Sequence, residues 1–188
     1  MPPDTRTALL DVAQELAQTR GLNAFSFQDL AKAVGIRAAS VHHHFPTKAD
    51  LGRELMRRYR AAFRADLERI ARRESAAPQR LEKFAALFRR TLRSGNRLCL
   101  CGMLASEFLT LPPEVKDEVR AFYDETEAWL AGVLRAGRDA GALHFDVPPA
   151  RMATTFLSTL EGAMIAARTF DDETRLTRAA EWLIASLH

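Results

Sequence analysis

Between Ser26 and Leu51 the chain reads SFQDLAKAVGIRAASVHHHFPTKADL, and this stretch leaves its backbone little choice. Ser26 is placed to cap a short helix that carries Leu30, Ala31 and Val34 on one face. Gly35 stands where the backbone must turn left-handed, a conformation that glycine adopts without steric cost. A second short helix is predicted through Ala39, Ser40 and Val41 to Phe45, where Pro46 stops it. Thr47 caps the next helix, and Asp50 three residues later completes a capping box. Two short helices joined by a tight glycine turn follow helix-turn-helix grammar, in which the second helix enters the major groove of DNA.

The rest of the chain has the same helical character. Apolar residues recur at three- and four-residue spacing with no sustained strand alternation, which predicts an all-α chain of about nine helices. The first runs from its cap at Asp4 to Arg20 and ends at Gly21, with Leu9, Leu10, Val12, Ala13 and Leu16 facing inward. A long fourth helix covers about 47–73 and a fifth about 79–92, before a break at Ser94-Gly95-Asn96. A sixth covers about 102–109, and Pro112-Pro113 starts a long seventh ending near Gly141. The last two span about 150–168 and 174–187. This order excludes a parallel-sheet enzyme fold.

Composition narrows the class further. With 47% apolar residues the chain can bury a real core. The start, MPPDTRT, is polar, and no apolar run approaches the ~20 residues that span a bilayer, so a cytoplasmic chain with no membrane partner is expected. Two cysteines suit a reducing compartment and rule out a disulfide framework. The net charge of +3 says little about nucleic acid, but its distribution is uneven. Residues 1–50 are balanced, whereas 51–75 hold eight arginines against four acids. Most of that run reads as a solvated helix face, with Lys48 and Arg53 near enough to the second short helix to reach phosphate.

Chemistry-bearing patterns are sparse. No glycine-rich phosphate loop, His-Glu-x-x-His motif or catalytic carboxylate pair is present, so neither an enzyme nor a cofactor is expected. His42, His43 and His44 project about 100° apart on a helix, whereas two ligands on one face need a spacing of three or four, so no metal site is expected. Helices five to eight carry Phe84, Phe88, Met103, Phe108, Tyr123, Trp129 and Phe156, interleaved with Glu107, Thr126 and Thr159. This pattern fits plain core, and it fits a small-molecule pocket with a few polar anchors. Glu107, set in the apolar run MLASEFL, needs a partner if buried; a ligand, an arginine or simple exposure would each satisfy it. Cys99 and Cys101 read as buried small hydrophobes or, at a helix N-terminus near Arg97, as a thiol sensor. Their side chains diverge, which makes a bridge between them awkward.

Several positions together carry a family resemblance. They are the Ala8–Ala13 helix ALLDVA, Gly21, Phe25-Ser26-Phe27, Asp29-Leu30-Ala31, Val34-Gly35-Ile36, Val41, His44-Phe45, Lys48 and Leu51. Over about the first fifty residues the chain resembles the DNA-binding domain of TetR-type transcriptional regulators. One departure is His42, where the family usually has tyrosine, and His43 stands at a position that is often aromatic. The resemblance implies a helix-turn-helix domain over 1–50, linked by the helix at about 47–73 to an effector-binding and dimerisation domain over 51–188. It implies DNA contacts by Arg37, Ala38, Ser40, His42, His43, Thr47 and Lys48, and an effector pocket among helices five to eight. The last two helices, the eighth rich in small residues, suit a two-fold four-helix interface. A homodimer places two recognition helices on successive major grooves of a near-palindromic double-stranded operator, about 34–36 Å apart. The expected protein is a repressor released from its operator by a small-molecule effector. The competing reading is a helical small-molecule-binding or thiol-based redox or electrophile-sensing protein with weak or lost DNA binding, favoured by His42 and the neutral first fifty residues.

Overall fold

A computed structural model describes residues 4–187. The first three residues of the polar start read above, and His188, lie outside the described residues. The helices are α1 (Thr5–Arg20), α2 (Phe27–Val34), α3 (Ala38–His44), α4 (Lys48–Arg73), α5 (Ala77–Arg93), α6 (Leu100–Ser106), α7 (Pro113–Asp139), α8 (Pro149–Thr169) and α9 (Thr174–Ala185). A single 3₁₀ turn at Phe108–Thr110 separates α6 from α7. There is no strand among the described residues.

Local chemistry accounts for most boundaries. Ser26 Oγ accepts from the Asp29 amide and the Asp29 carboxylate accepts from the Ser26 amide, a complete capping box at the start of α2. Thr47 and Asp50 repeat that exchange at the start of α4. Gly35 closes α2 at φ +77°, in the left-handed region. Asp4 does occupy the cap of α1, but its side chain makes no capping bond. The sixth helix begins at Leu100 and not at Gly102, so Cys101 lies inside it and Cys99 just before it. The expected helix over 102–109 is thereby split, its last turn tightening to 3₁₀ geometry. On α1, Val12 and Leu16 are only half-buried, while Ala17 and Gln18 take inward places.

The chain forms two compact units. One comprises the residues through Ala61 together with Leu100–Ala121; the other comprises Ala62–Cys99 and the chain from Phe122 onward. The first is built on Leu9, Ala13, Leu22, Leu30, Val41, Phe45, Leu51 and Leu55, with Leu100, Leu104 and Val115 added by the returning segment, all fully buried. Buried Glu118 accepts from Arg57 Nε at 2.7 Å and also from Arg60 in this unit. In the second unit α5, α8 and α9 pack on one another. Phe84 sits among aromatic neighbours there, stacked on Trp129 at 5.7 Å and meeting Phe88 at 5.5 Å and Phe156 at 6.1 Å. Gly137 brings α7 close to α5: a Cβ on it would lie 2.7 Å from the Ala77 Cβ and 2.5 Å from Leu143.

Candidate nucleic-acid interface

The two capping boxes set the geometry of the α2–α3–α4 surface. They fix where α2 and α4 begin, and Gly35 fixes the angle at which α3 leaves α2. Val41 and Phe45 point α3 into the core of the first unit. That rotation leaves Arg37, Ala38, His42 and His43 exposed on the outer face of α3, with Ser40 half-buried at its edge. Thr47 is exposed at the head of α4, and Lys48 is half-buried behind it. The predicted DNA-contact residues are therefore brought together on one side of this unit.

A cleft of about 330 Å³ opens in this surface, lined by Asn23, Phe25, Ser26, Phe27, His42, Pro46, Thr47 and Lys48. The His42 ring meets the Phe27 ring edge-on at 4.8 Å. Lys48 Nζ donates to the Phe25 carbonyl and lies 3.5 Å from the centroid of the Phe25 ring, a cation–π arrangement. Burial pulls the Lys48 ammonium down to about 8, against the opposing attraction of Asp29 and Glu107. Asn23, Phe25 and Phe27 escaped the sequence reading as functional residues. The one available signal was the Phe-Ser-Phe turn, which identifies a helix start without saying what the rings touch. Arg53, read as a phosphate candidate, has its guanidinium on Asp50 at 3.1 Å.

Residues 9–55 match the family described as bacterial regulatory proteins, tetR family, and residues 77–183 match the tetracyclin repressor-like C-terminal domain. The second match alone covers more than half of the chain. The chain belongs to the TetR family of transcriptional regulators. It is similar to the HTH-type transcriptional repressor KstR2 of Rhodococcus jostii (strain RHA1), with 30% identity over 156 residues, 76% of this chain and 69% of that one. A TetR transcriptional regulator from Legionella pneumophila has a similar solved structure, at 33% identity and TM-score 0.91 over 100% of both chains. A TetR-family regulator from Agrobacterium tumefaciens matches at 31% identity and TM-score 0.94 over 97% of both. This chain is accordingly a DNA-binding, ligand-responsive transcriptional regulator. No helix among the described residues is long and apolar enough to cross a membrane.

In a TetR-family chain the remaining question is where a ligand acts. The residues read as an effector pocket divide between the two units. Met103, Glu107 and Phe108 belong to the first unit, and Phe84, Phe88, Tyr123, Thr126, Trp129, Phe156 and Thr159 to the second. Phe84 is buried against Phe88, Trp129 and Phe156, and Thr126 is also buried. The Thr159 hydroxyl donates to the Thr155 carbonyl one turn back. Glu107 needs neither ligand nor arginine: its carboxylate accepts the Leu22 amide at 2.7 Å and the Asn23 amide at 3.2 Å.

Both cysteines are buried. Neither is in a disulfide, and Cys99 and Cys101 are 2% and 0% exposed. Cys99 faces Glu161 of α8, a carboxyl raised well above its usual range by burial and then by Cys99 itself. Burial denies these thiols the solvent access of reactive cysteines. No group of three or more potential metal ligands occurs among the described residues; His42 and His43 are exposed, and His44 is half-buried with its ring edge-on to that of His43 at 5.5 Å.

Proposed function

We propose that this regulator is a homodimeric repressor that holds a near-palindromic operator through α3 and releases it when a small-molecule effector binds within the second unit. The observation that carries the DNA reading is the exposed α3 face held between two complete capping boxes. Arg37, Ala38, Ser40, His42 and His43 lie along that face, and Thr47 and Lys48 head the next helix. Arg37 at the cap of α3, or His42 within it, reaches a base edge or phosphate. Thr47 and the N-terminus of α4 engage phosphate through hydroxyl and backbone N–H, with Lys48 as the nearby cation.

Dimerisation through α8 and α9 is supported by what those helices leave uncovered. Ile165 and Trp182 are 48% and 71% exposed, and large apolar groups in solvent on packed helices mark a surface for association. Effector binding is assigned to α5, α7 and α8 of the second unit, where Trp129 stacks on Phe84 and Phe84 meets Phe156, with Tyr123 and Thr159 half-buried on the same helices. The relative from Rhodococcus jostii is named a repressor, which supports that direction of regulation. α4 runs unbroken from Lys48 to Arg73, so one helix contributes residues to both units.

The test is selection of bound duplexes from a randomised pool with the purified full chain, paired with sedimentation to give the oligomeric state. A near-palindromic consensus with a sedimenting dimer is expected. A folded protein that enriches no sequence would sink the regulator reading.

A further inference from the structure

The corner between α1 and α2 is held by a residue more than eighty positions away. Glu107 Oε2 accepts the Leu22 amide at 2.7 Å and Oε1 accepts the Asn23 amide at 3.2 Å, the two N–H groups that follow the end of α1. Asn23 Nδ2 donates to Thr110 Oγ1 at 2.9 Å, and that hydroxyl donates to the Glu107 carbonyl at 2.9 Å, closing a small polar ring. Gly21 makes room for it. Its φ is +100°, and a Cβ there would stand 2.5 Å from Glu107 Oε1.

The corner leads straight into the DNA-reading surface. Phe25 offers its carbonyl and ring to Lys48, Ser26 begins α2, and Phe27 meets His42 of α3. Glu107 also acts on Lys48 through charge. The groups facing that ammonium are Asp29 on α2 and Glu107 after α6, with His42 of α3 lining the same cleft.

We infer that Glu107 is a positioning residue for DNA binding: by holding the Leu22 and Asn23 amides, it sets the α1–α2 corner and with it Phe25, Phe27 and the Lys48 cleft. The inference rests on the DNA-binding reading of α3 and Lys48. It adds the segment after α6 to the machinery that shapes the operator contact, so a displacement of α6 reaches the corner directly.

The experiment compares the wild-type full chain with Glu107→Gln, Glu107→Asp and Gly21→Ala on duplexes enriched by the wild-type protein, by fluorescence anisotropy from pH 7 to 9. Circular dichroism melts accompany each variant. Gly137→Ala in the second unit serves as a control for lost stability. Glu107→Gln and Gly21→Ala, while still folded, are expected to bind at least tenfold more weakly. Glu107→Gln should lose its affinity at a lower pH than wild type, because Lys48 has one carboxylate fewer to hold its proton. Glu107→Asp, which keeps the charge, should recover the wild-type pH profile. A folded Glu107→Gln protein with wild-type affinity and pH profile overturns the inference. So does a loss that Gly137→Ala reproduces at matched stability. A wild-type protein that enriches no duplex would instead remove the reading beneath it.

Discussion

Lys48 gives the DNA-binding proposal a quantitative handle. An ordinary lysine, with its value near 10.5, stays charged throughout the range in which proteins are handled. Here burial lowers it to about 8. If the ammonium is what phosphate sees, affinity per protomer falls by a factor of one plus ten to the power of pH minus pKa. From pH 7 to pH 9 that is about tenfold for one protomer and about a hundredfold for a dimer using both, whereas an unperturbed lysine would change it by only a few per cent. The stability effect has the opposite sign. The folded-state value lies below the unfolded one, so the unfolded chain binds more protons between pH 8 and 10.5, and the fold gains as pH rises there. Lost binding thus cannot be assigned to unfolding at Lys48. The assay is anisotropy on an enriched duplex at fixed salt, wild type against Lys48→Arg, whose guanidinium stays charged. The two proteins share every other titratable group, so the difference between their curves belongs to residue 48. Parallel curves from pH 7 to 9.5 would refute the reasoning.

Other outcomes follow from single contacts. Gly132 is exposed on α7 with open space where a Cβ would go, so Gly132→Ala should stabilise by about 1 kcal/mol. Gly137→Ala makes the same backbone gain but overpacks Ala77 and Leu143 by about 1–3 kcal/mol, so it should melt several degrees below Gly132→Ala; equal midpoints would mean that α5 and Leu143 yield freely. Glu118→Ala strips the carboxylate from Arg57 and Arg60 and should destabilise by roughly 3 kcal/mol in urea, the low end for a broken buried pair because Arg57 is largely in solvent. Trp182→Glu should shift sedimentation from dimer to monomer with the helical signal retained; an unchanged dimer would place the interface elsewhere. Cys99 should react with a thiol reagent only as fast as the protein opens, and rapid labelling of the folded chain would favour the sensor reading.

What the sequence revealed depended on how far apart the interacting groups lie in the chain. Ser26 with Asp29 and Thr47 with Asp50 are exchanges over three residues, and both were legible because capping is written in local order. Gly35 was legible because one backbone angle demanded it. The role of Glu107 was not, since its partners are amides 84 and 85 residues away and carry no side-chain signature. The aromatic run from Phe84 to Phe156 announced burial but not whether the rings meet each other or a ligand, because both use the same spacing. The start of α6 was placed late because Leu-Cys-Leu-Cys has no capping residue to mark it.

The returning segment Leu100–Ala121 has a consequence for protein engineering. It supplies Leu104 and Val115 to the core of the first unit, Glu107 to the α1–α2 corner and Glu118 to Arg57 and Arg60. The operator reader is therefore not a portable cassette that ends where the recognition helix does. A chimera that grafts only the first sixty or so residues onto a foreign regulatory core would import an incomplete fold. Exchanging operator specificity between relatives would require moving both stretches together, or confining changes to the exposed face of α3.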